Sequence, residues 1–257
     1  MILSIDIGLR NLALCCMSAQ NITELNSYTI HLWEVYNTLD SDDYRCGGIQ
    51  KSGKICGKKC KFKYKPESGE DIIYSCKTHF PKLLNCNLKE HAFKKKVIDD
   101  YLLQDIAKIL LCKIQEIYNT QLSKLNIKSI FIELQPKVNR KMVFTSHIVY
   151  GKLVELYKDT TVPIRFVRAS HKLKAYSGPK IECKLKGLYS QRKWLSVEYC
   201  KWFLENKFSK EQKEKWLVFF ESKTIKPDLG DTFLMTINAL YGIPKKQRVQ
   251  KNGKYIK

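Results

Sequence analysis

The sequence predicts an α/β fold: a mixed five-stranded sheet flanked by helices, interrupted by a small Cys/His insertion with the ligands for a zinc site. Three observations lead there. Three short apolar runs within the first 40 residues alternate as antiparallel strands do. Two further runs rich in Ile, Phe and Val, beyond residue 125, are each reached through a segment of helical periodicity, the order that brings strands into a sheet with helices on its faces. Between the two groups, residues 40–81 lose their apolar periodicity and become rich in Gly, Lys and Cys.

Met1 to Ile7 is an apolar run that ends beside an acid, and Gly8-Leu9-Arg10-Asn11 is short enough for a hairpin turn into the second run, Leu12 to Met17. The third run is Tyr28 to Val35. From Leu88 to Tyr118 the spacing turns helical, with Val97, Tyr101, Ile106, Ile109, Leu110 and Ile117 recurring at steps of three and four. Ser129 to Leu134 reads as a buried strand, 139–157 as a helix, Val162 to Val167 as a strand, and 190–206 and 209–221 as helices. A last helix starts at Pro227 or Asp228, with proline in its first turn. The main domain is therefore discontinuous, 1–39 and 82–243, with the insertion at 40–81 and a basic tail at 244–257. That tail is a frayed terminus or a grip on phosphates. There are no internal repeats.

Composition narrows the function. The 257 residues suit one domain with an insertion. With 46 Lys+Arg against 25 Asp+Glu, the net charge of +21 points to a polyanion, foremost nucleic acid. The longest apolar runs, such as Ile106 to Cys112, fall far short of the ~20 residues that cross a bilayer, so no membrane partner is expected. The N-terminus meets Asp6 at once and does not read as a secretion signal. The ten cysteines then belong to a reducing, intracellular compartment, where disulfides are disfavoured. Cys15, Cys16, Cys112, Cys183 and Cys200 lie inside apolar or helical runs and read as buried or semi-buried residues.

In so basic a chain, acids at element ends stand out. Asp6 closes the first strand, Glu133 closes the fourth, and Asp228 and Asp231 are three apart on one face of the last helix. A buried carboxylate needs a cation, a hydrogen bond or a metal. Singly, Asp228 also fits a helix cap, Glu133 a surface acid and Asp6 an acceptor of turn hydrogen bonds. Together, four converging carboxylates repel one another unless divalent cations intervene, and oxygen ligands suit Mg²⁺ or Mn²⁺.

The motifs around these acids resemble a known family. Ile5-Asp6-Ile7-Gly8-Leu9-Arg10-Asn11-Leu12-Ala13 looks like the first motif of RuvC-like Holliday junction resolvases, above all the poxvirus-type enzymes of large DNA viruses and their mitochondrial relatives. Ile132-Glu133-Leu134-Gln135-Pro136 is similar to the second motif. Lys226-Pro227-Asp228-Leu229-Gly230-Asp231-Thr232-Phe233 is similar to the third, usually Lys-x-Asp-Asp-x-x-Asp, with Pro227 standing where one acid of a pair often sits. The resemblance covers most of the chain outside 40–81. It implies an RNase H-like fold in which Asp6, Glu133, Asp228 and Asp231 hold two Mg²⁺ (or Mn²⁺) ions, which activate water and stabilise the leaving 3′ oxygen. It also implies a homodimer making paired symmetrical nicks in four-way DNA junctions. Lys226 is then a contact to the scissile phosphate or a solvated lysine. The apolar stripe Val97, Tyr101, Leu102 and Ile106 is a dimer interface or core packing. If the chain is viral, a cytoplasmic replication site or the nucleus is where it acts.

The insertion carries its own chemistry. Cys46-x9-Cys56-x3-Cys60-x15-Cys76-x2-His79, with glycines at 47, 48, 53 and 57, suits a structural Zn²⁺ held by Cys46, Cys56, Cys76 and His79, with Cys60 as the substitute and Cys86 trailing. Unligated cysteines in a flexible loop are the other reading. So few apolar residues need metal to fold, and the closed ligand set excludes a catalytic zinc. Lysines 51, 54, 58, 59, 61, 63 and 65 make the insertion a basic module for DNA arms.

Lys137, Arg140 and Lys141 follow Glu133, and Arg168, His171, Lys172 and Lys174 follow the last strand. They are solvated ends or a DNA-binding ring around the acids. Tyr176, Tyr189, Trp194 and Trp202 read as core or partly buried aromatics, with base-stacking platforms as the other reading. No Ser, Cys or His motif suggests a covalent nucleophile. Three rivals share these features: another RNase H-like nuclease or transposase relative, an actin-like ATPase from Asp6-Ile7-Gly8, and a non-enzymatic zinc-containing DNA-binding factor. Twelve glycines and 257 residues are too few for the two lobes and phosphate loops of the ATPase.

Overall fold

The computed structural model describes residues 1–21, 27–38, 44–65, 72–80, 89–92 and 100–241. Cys86, Val97 and the basic tail 244–257 lie outside the described residues. The strands are β1 (Ile2–Ile7), β2 (Asn11–Ala19), β3 (Tyr28–Asn37), β4 (Phe62–Tyr64), β5 (Ile73–Ser75), β6 (Ser129–Leu134) and β7 (Ile164–Arg168). The helices are α1 (Leu103–Thr120), α2 (Arg140–Leu156), α3 (Leu188–Lys207), α4 (Lys210–Ser222) and α5 (Lys226–Leu240), with 3₁₀ turns at Leu122–Lys124 and Ala169–Ala175. The chain divides into two compact units, Met1–Leu39 with Leu103–Lys257, and Asp40–Leu102.

The larger unit is built on a five-stranded sheet of order β3-β2-β1-β6-β7. β1 runs antiparallel to β2, which runs antiparallel to β3, whereas β6 and β7 are parallel to β1. This is the mixed, helix-flanked sheet the sequence predicts. The β1–β2 turn is closed by the Gly8 amide donating to the Asn11 carbonyl at 2.7 Å. A Cβ at residue 8 would stand 3.0 Å from that oxygen, so glycine keeps the turn tight.

α5 packs against β1, β2 and β3 and against α3. Every residue from Leu229 to Ile237 is buried, the polar Asp231, Thr232 and Thr236 included. Its two threonines turn their hydroxyls back to the backbone, Thr232 to Leu229 O at 2.9 Å and Thr236 to Thr232 O at 2.9 Å. Trp33 of β3 anchors this layer. It stacks on Phe220 with centroids 5.1 Å apart, meets Phe233 at 5.3 Å, and donates its indole N–H to Leu229 O at 3.1 Å.

Helix α1 begins at Leu103, so Tyr101 and Leu102 precede it, while Ile106 is in the core with Leu110, Ile114 and Ile117. The proposed stripe is therefore not one helical face among the described residues. Cys112 is exposed rather than buried, because two residues beyond Leu110 the helix has turned away from that apolar row. Cys15, Cys16 and Cys200 are buried and Cys183 is half-buried.

The smaller unit pairs β4 with β5 antiparallel and gathers Phe62, Tyr64 and His91 around Phe80. A core of that size cannot stabilise a fold unaided.

Replacing Trp33 by Ala removes the stacking partner of Phe220 and a buried hydrogen bond. We expect a loss of about 3–5 kcal/mol, read as a lower urea midpoint in equilibrium unfolding.

Candidate active site

The sheet topology brings two acids together. Asp6 and Glu133 are each the next-to-last residue of their strand, and β1 and β6 are parallel neighbours with Ile5 opposite Ile132. Both side chains thus emerge at the carboxyl ends of adjacent strands, where open α/β sheets form their crevices. Asp228 and Asp231 come from the first turns of α5. All four carboxylates line one cavity of about 680 Å³.

Charge balance within the cavity is uneven. Asp6 is pushed well above the usual carboxylate range, first by burial and then by hydrogen bonding and repulsion from Glu133. Asp231 is 2% exposed. Burial alone would raise it, but Lys172 and Lys193, with a hydrogen bond from Ser196, hold it below its ordinary value. Lys172 Nζ lies 2.7 Å from Asp231 Oδ2 and 3.1 Å from Glu133 Oε1. Lys193 Nζ lies 3.0 Å from Asp231 Oδ2 and 3.2 Å from Asp228 Oδ1. Burial works against both ammonium charges, yet the surrounding acids keep both lysines above the usual lysine range. Ser196 donates to Asp231 Oδ1 at 2.6 Å, and Asn11 Nδ2 donates to Asp228 Oδ2 at 3.3 Å.

A close helix crossing places Ser196. A Cβ on Gly230 would stand 2.8 Å from Ser196 Oγ and 2.9 Å from its carbonyl oxygen. The missing side chain lets α3 approach α5 and present Ser196 to Asp231.

The remaining candidates fall elsewhere. Lys172 leaves the expected outer ring and sits between Glu133 and Asp231, drawn inward by their charge. Lys226 is the first residue of α5 and does not line the cavity; neither do Lys137, Arg140, Lys141, Arg168 or Lys174. Tyr189, expected to be partly buried, is 75% exposed and lines the cavity mouth beside Arg192 and Lys193. Tyr176, Trp194 and Trp202 are half-buried. Sequence reasoning missed Asn11 as a partner, and also Arg192, Lys193 and Ser196. The spacing Tyr189-x-x-Arg192-Lys193-x-x-Ser196 was a polar helical face, but nothing local says that it turns toward acids.

The smaller unit holds a separate donor cluster. The Cys46, Cys56 and Cys76 sulfurs and a ring nitrogen of His79 all lie within 4.8 Å of one another. His79 Nδ1 is 3.5 Å from both Cys46 Sγ and Cys76 Sγ. A turn with the His79 amide on the Cys76 carbonyl folds that pair together. A Cβ on Gly48 would stand 2.5 Å from His79 Cγ, so glycine makes room for the ring. Burial opposes ionisation of Cys76, but the His79 and Thr78 amides and the Cys46 and His79 side chains bring it down to about 6. Cys60 is half-buried and outside the four. Three thiols and an imidazole form the closed set that structural Zn²⁺ takes.

No protein-family model matches the chain. An uncharacterized protein of Acanthamoeba polyphaga mimivirus is 26% identical over 233 residues, which is 82% of this chain and 54% of that protein. The chain thus spans about half the length of the curated relative it matches. Among solved structures, the yeast mitochondrial Holliday junction resolvase aligns at TM-score 0.43 and 14% identity, covering 93% of this chain and 78% of the resolvase. Thermus thermophilus RuvC in complex with Holliday junction substrate aligns at TM-score 0.44 and 9% identity, covering 94% and 96%. A further Thermus thermophilus RuvC structure aligns at TM-score 0.43 and 10% identity, with the same coverage.

Replacing Gly230 by Ala forces α3 away from α5 and pulls Ser196 off Asp231. We expect about 1–3 kcal/mol of destabilisation from overpacking, measured by thermal unfolding, whereas Ser196→Ala, which leaves the crossing intact, costs less.

Proposed function

We propose that this chain is a metal-dependent endonuclease that resolves four-way DNA junctions, working as a homodimer to make paired symmetrical nicks. One observation carries the reading: carboxylates from β1, β6 and α5 meet in a single cavity and need positive charge there to coexist. Asp6, Glu133, Asp228 and Asp231 would hold two Mg²⁺ or Mn²⁺ ions; oxygen donors on both sides and the strained Asp6–Glu133 pair fit hard cations. Bound there, the ions supply a lowered water pKa and charge for the leaving 3′ oxygen.

The protein's own groups do the positioning. Ser196 and Asn11 fix the rotamers of Asp231 and Asp228. Lys172 and Lys193 keep Asp231 ionised, and Lys193, the less buried of the two, meets a phosphate entering the cavity with Arg192 beside it. Tyr189 offers an exposed ring to a nucleotide at the mouth. Lys226, Lys137, Arg140, Lys141, Arg168 and Lys174 take flanking phosphates, and Lys172 serves the acids rather than the DNA. The Cys46, Cys56, Cys76 and His79 cluster holds a structural Zn²⁺ that stiffens the 40–81 insertion as a basic module on the DNA arms. Thiols kept free for zinc suit a reducing intracellular compartment.

Incubation with Mg²⁺ and a synthetic four-way junction, beside linear duplex and RNA–DNA hybrid, tests the proposal. Paired symmetrical nicks on the junction alone are expected. Asp228→Asn should slow cleavage by at least about 10²–10³-fold, the scale of losing one charge-stabilising group, while junction binding persists. Undiminished cleavage by that variant, or cleavage of the hybrid alone, refutes it.

Elemental analysis should find about one zinc per chain. Gly48→Ala, by displacing His79, should weaken zinc binding about 10–100-fold in competition with a chromogenic chelator.

A further inference from the structure

Beyond the Cys/His cluster, the smaller unit projects a hairpin. Its ladder starts at Cys46, whose amide donates to Lys58 O at 2.9 Å, and continues through Cys56 N to Gly48 O at 2.8 Å and Gln50 N to Lys54 O at 2.9 Å. Gly53, at φ 78°, closes the turn with its amide on Gln50 O. Ile49 and Ile55 form an antiparallel bridge near the tip. Directly opposed residues share a face, so the two side chains stand together. They are 70% and 72% exposed.

A single exposed isoleucine is ordinary. Two side by side near a hairpin tip, each more than two-thirds exposed, are not. Their setting is also one-signed: residues 44–65 contain Arg45 and seven lysines and no acid. Lys51 and Lys54 flank the turn and are exposed. The base is held where Cys46 and Cys56 join the donor cluster, so a metal there makes the arm rigid. A stiff arm with an apolar pair and a basic collar has the chemistry of side chains that enter a base step while cations hold the phosphates.

We propose that the Ile49–Ile55 tip is a wedge that enters the stack at the branch point of DNA. This rests on the junction-cleaving reading and adds how a branch is told from continuous duplex. Inside a duplex, a wedge must separate stacked pairs at a cost of a few kcal/mol per step. At a branch, stacking is already interrupted, and the same insertion costs less. The lysines bind any DNA; the isoleucines select the branch.

The test uses the full zinc-loaded chain without Mg²⁺ or Mn²⁺, a four-way junction with 2-aminopurine at the branch, and linear duplex of the same arms. The unmodified chain should raise branch fluorescence and bind the junction more tightly than duplex. I49S/I55S should lose about tenfold in junction affinity, roughly the burial of one isoleucine, and the fluorescence rise, while duplex affinity stays within about twofold. I49F/I55F should retain the rise, which separates a wedge from a folding defect, and equal zinc content confirms the fold of both variants.

Equal branch fluorescence from the unmodified chain and I49S/I55S overturns the wedge and leaves the resolvase reading standing. No junction preference in the unmodified chain overturns both. Unchanged junction binding by I49S/I55S, with lost self-association or lost binding to anionic vesicles, reassigns the pair to a protein or membrane contact and also overturns it.

Discussion

Asp231 is the point on which the site depends. A carboxylate almost wholly removed from water survives only because three groups reach it: Lys172 from the turn after β7, and Lys193 and Ser196 from α3. Removing either lysine would leave the buried charge short of a cation, which costs more than an exposed pair returns. The arrangement needs α3 to lie almost on α5, and Gly230 permits that. One absent side chain thus links helix packing to site electrostatics.

The same economy appears on the sheet side. Parallel pairing of β1 with β6 puts Asp6 beside Glu133, and burial together with that neighbour pushes Asp6 above the usual carboxylate range. Four acids fed by two strands and a helix form a sink for positive charge. Two lysine ammonium groups answer the acids' charge at 2.7 to 3.2 Å. The +21 net charge therefore has two distinct parts. Lys172 and Lys193 belong to the cavity, and outside it lie lysines paired with acids, such as Lys152 and Lys223, together with the surplus that gives the chain its charge.

The smaller unit solves a different problem. Its aromatic cluster around Phe80 is too small to fix a chain so rich in lysine, and the three sulfurs and ring nitrogen gathered beside it could take a metal that would supply the missing constraint. Gly48 serves His79 as Gly230 serves Ser196: both give space to a neighbour's polar group.

Much of this was legible in one dimension. Strand alternation, the helical steps from Ile106 to Ile117, the proline opening α5 and the placement of four acids at element ends are local patterns, and local patterns follow from chain geometry. The cysteine spacing likewise pointed to the four residues that gather. What the sequence by itself determined was which residues lie at strand ends and on shared helix faces. Only tertiary structure decided which faces meet: that Lys193 and Ser196 look at Asp231, that Lys172 turns inward while Lys226 does not line the cavity, and that Tyr189 stays exposed. Those outcomes depend on a helix crossing between segments more than thirty residues apart, set by packing volume and buried charge, and neither quantity is written in the spacing of residues along the chain.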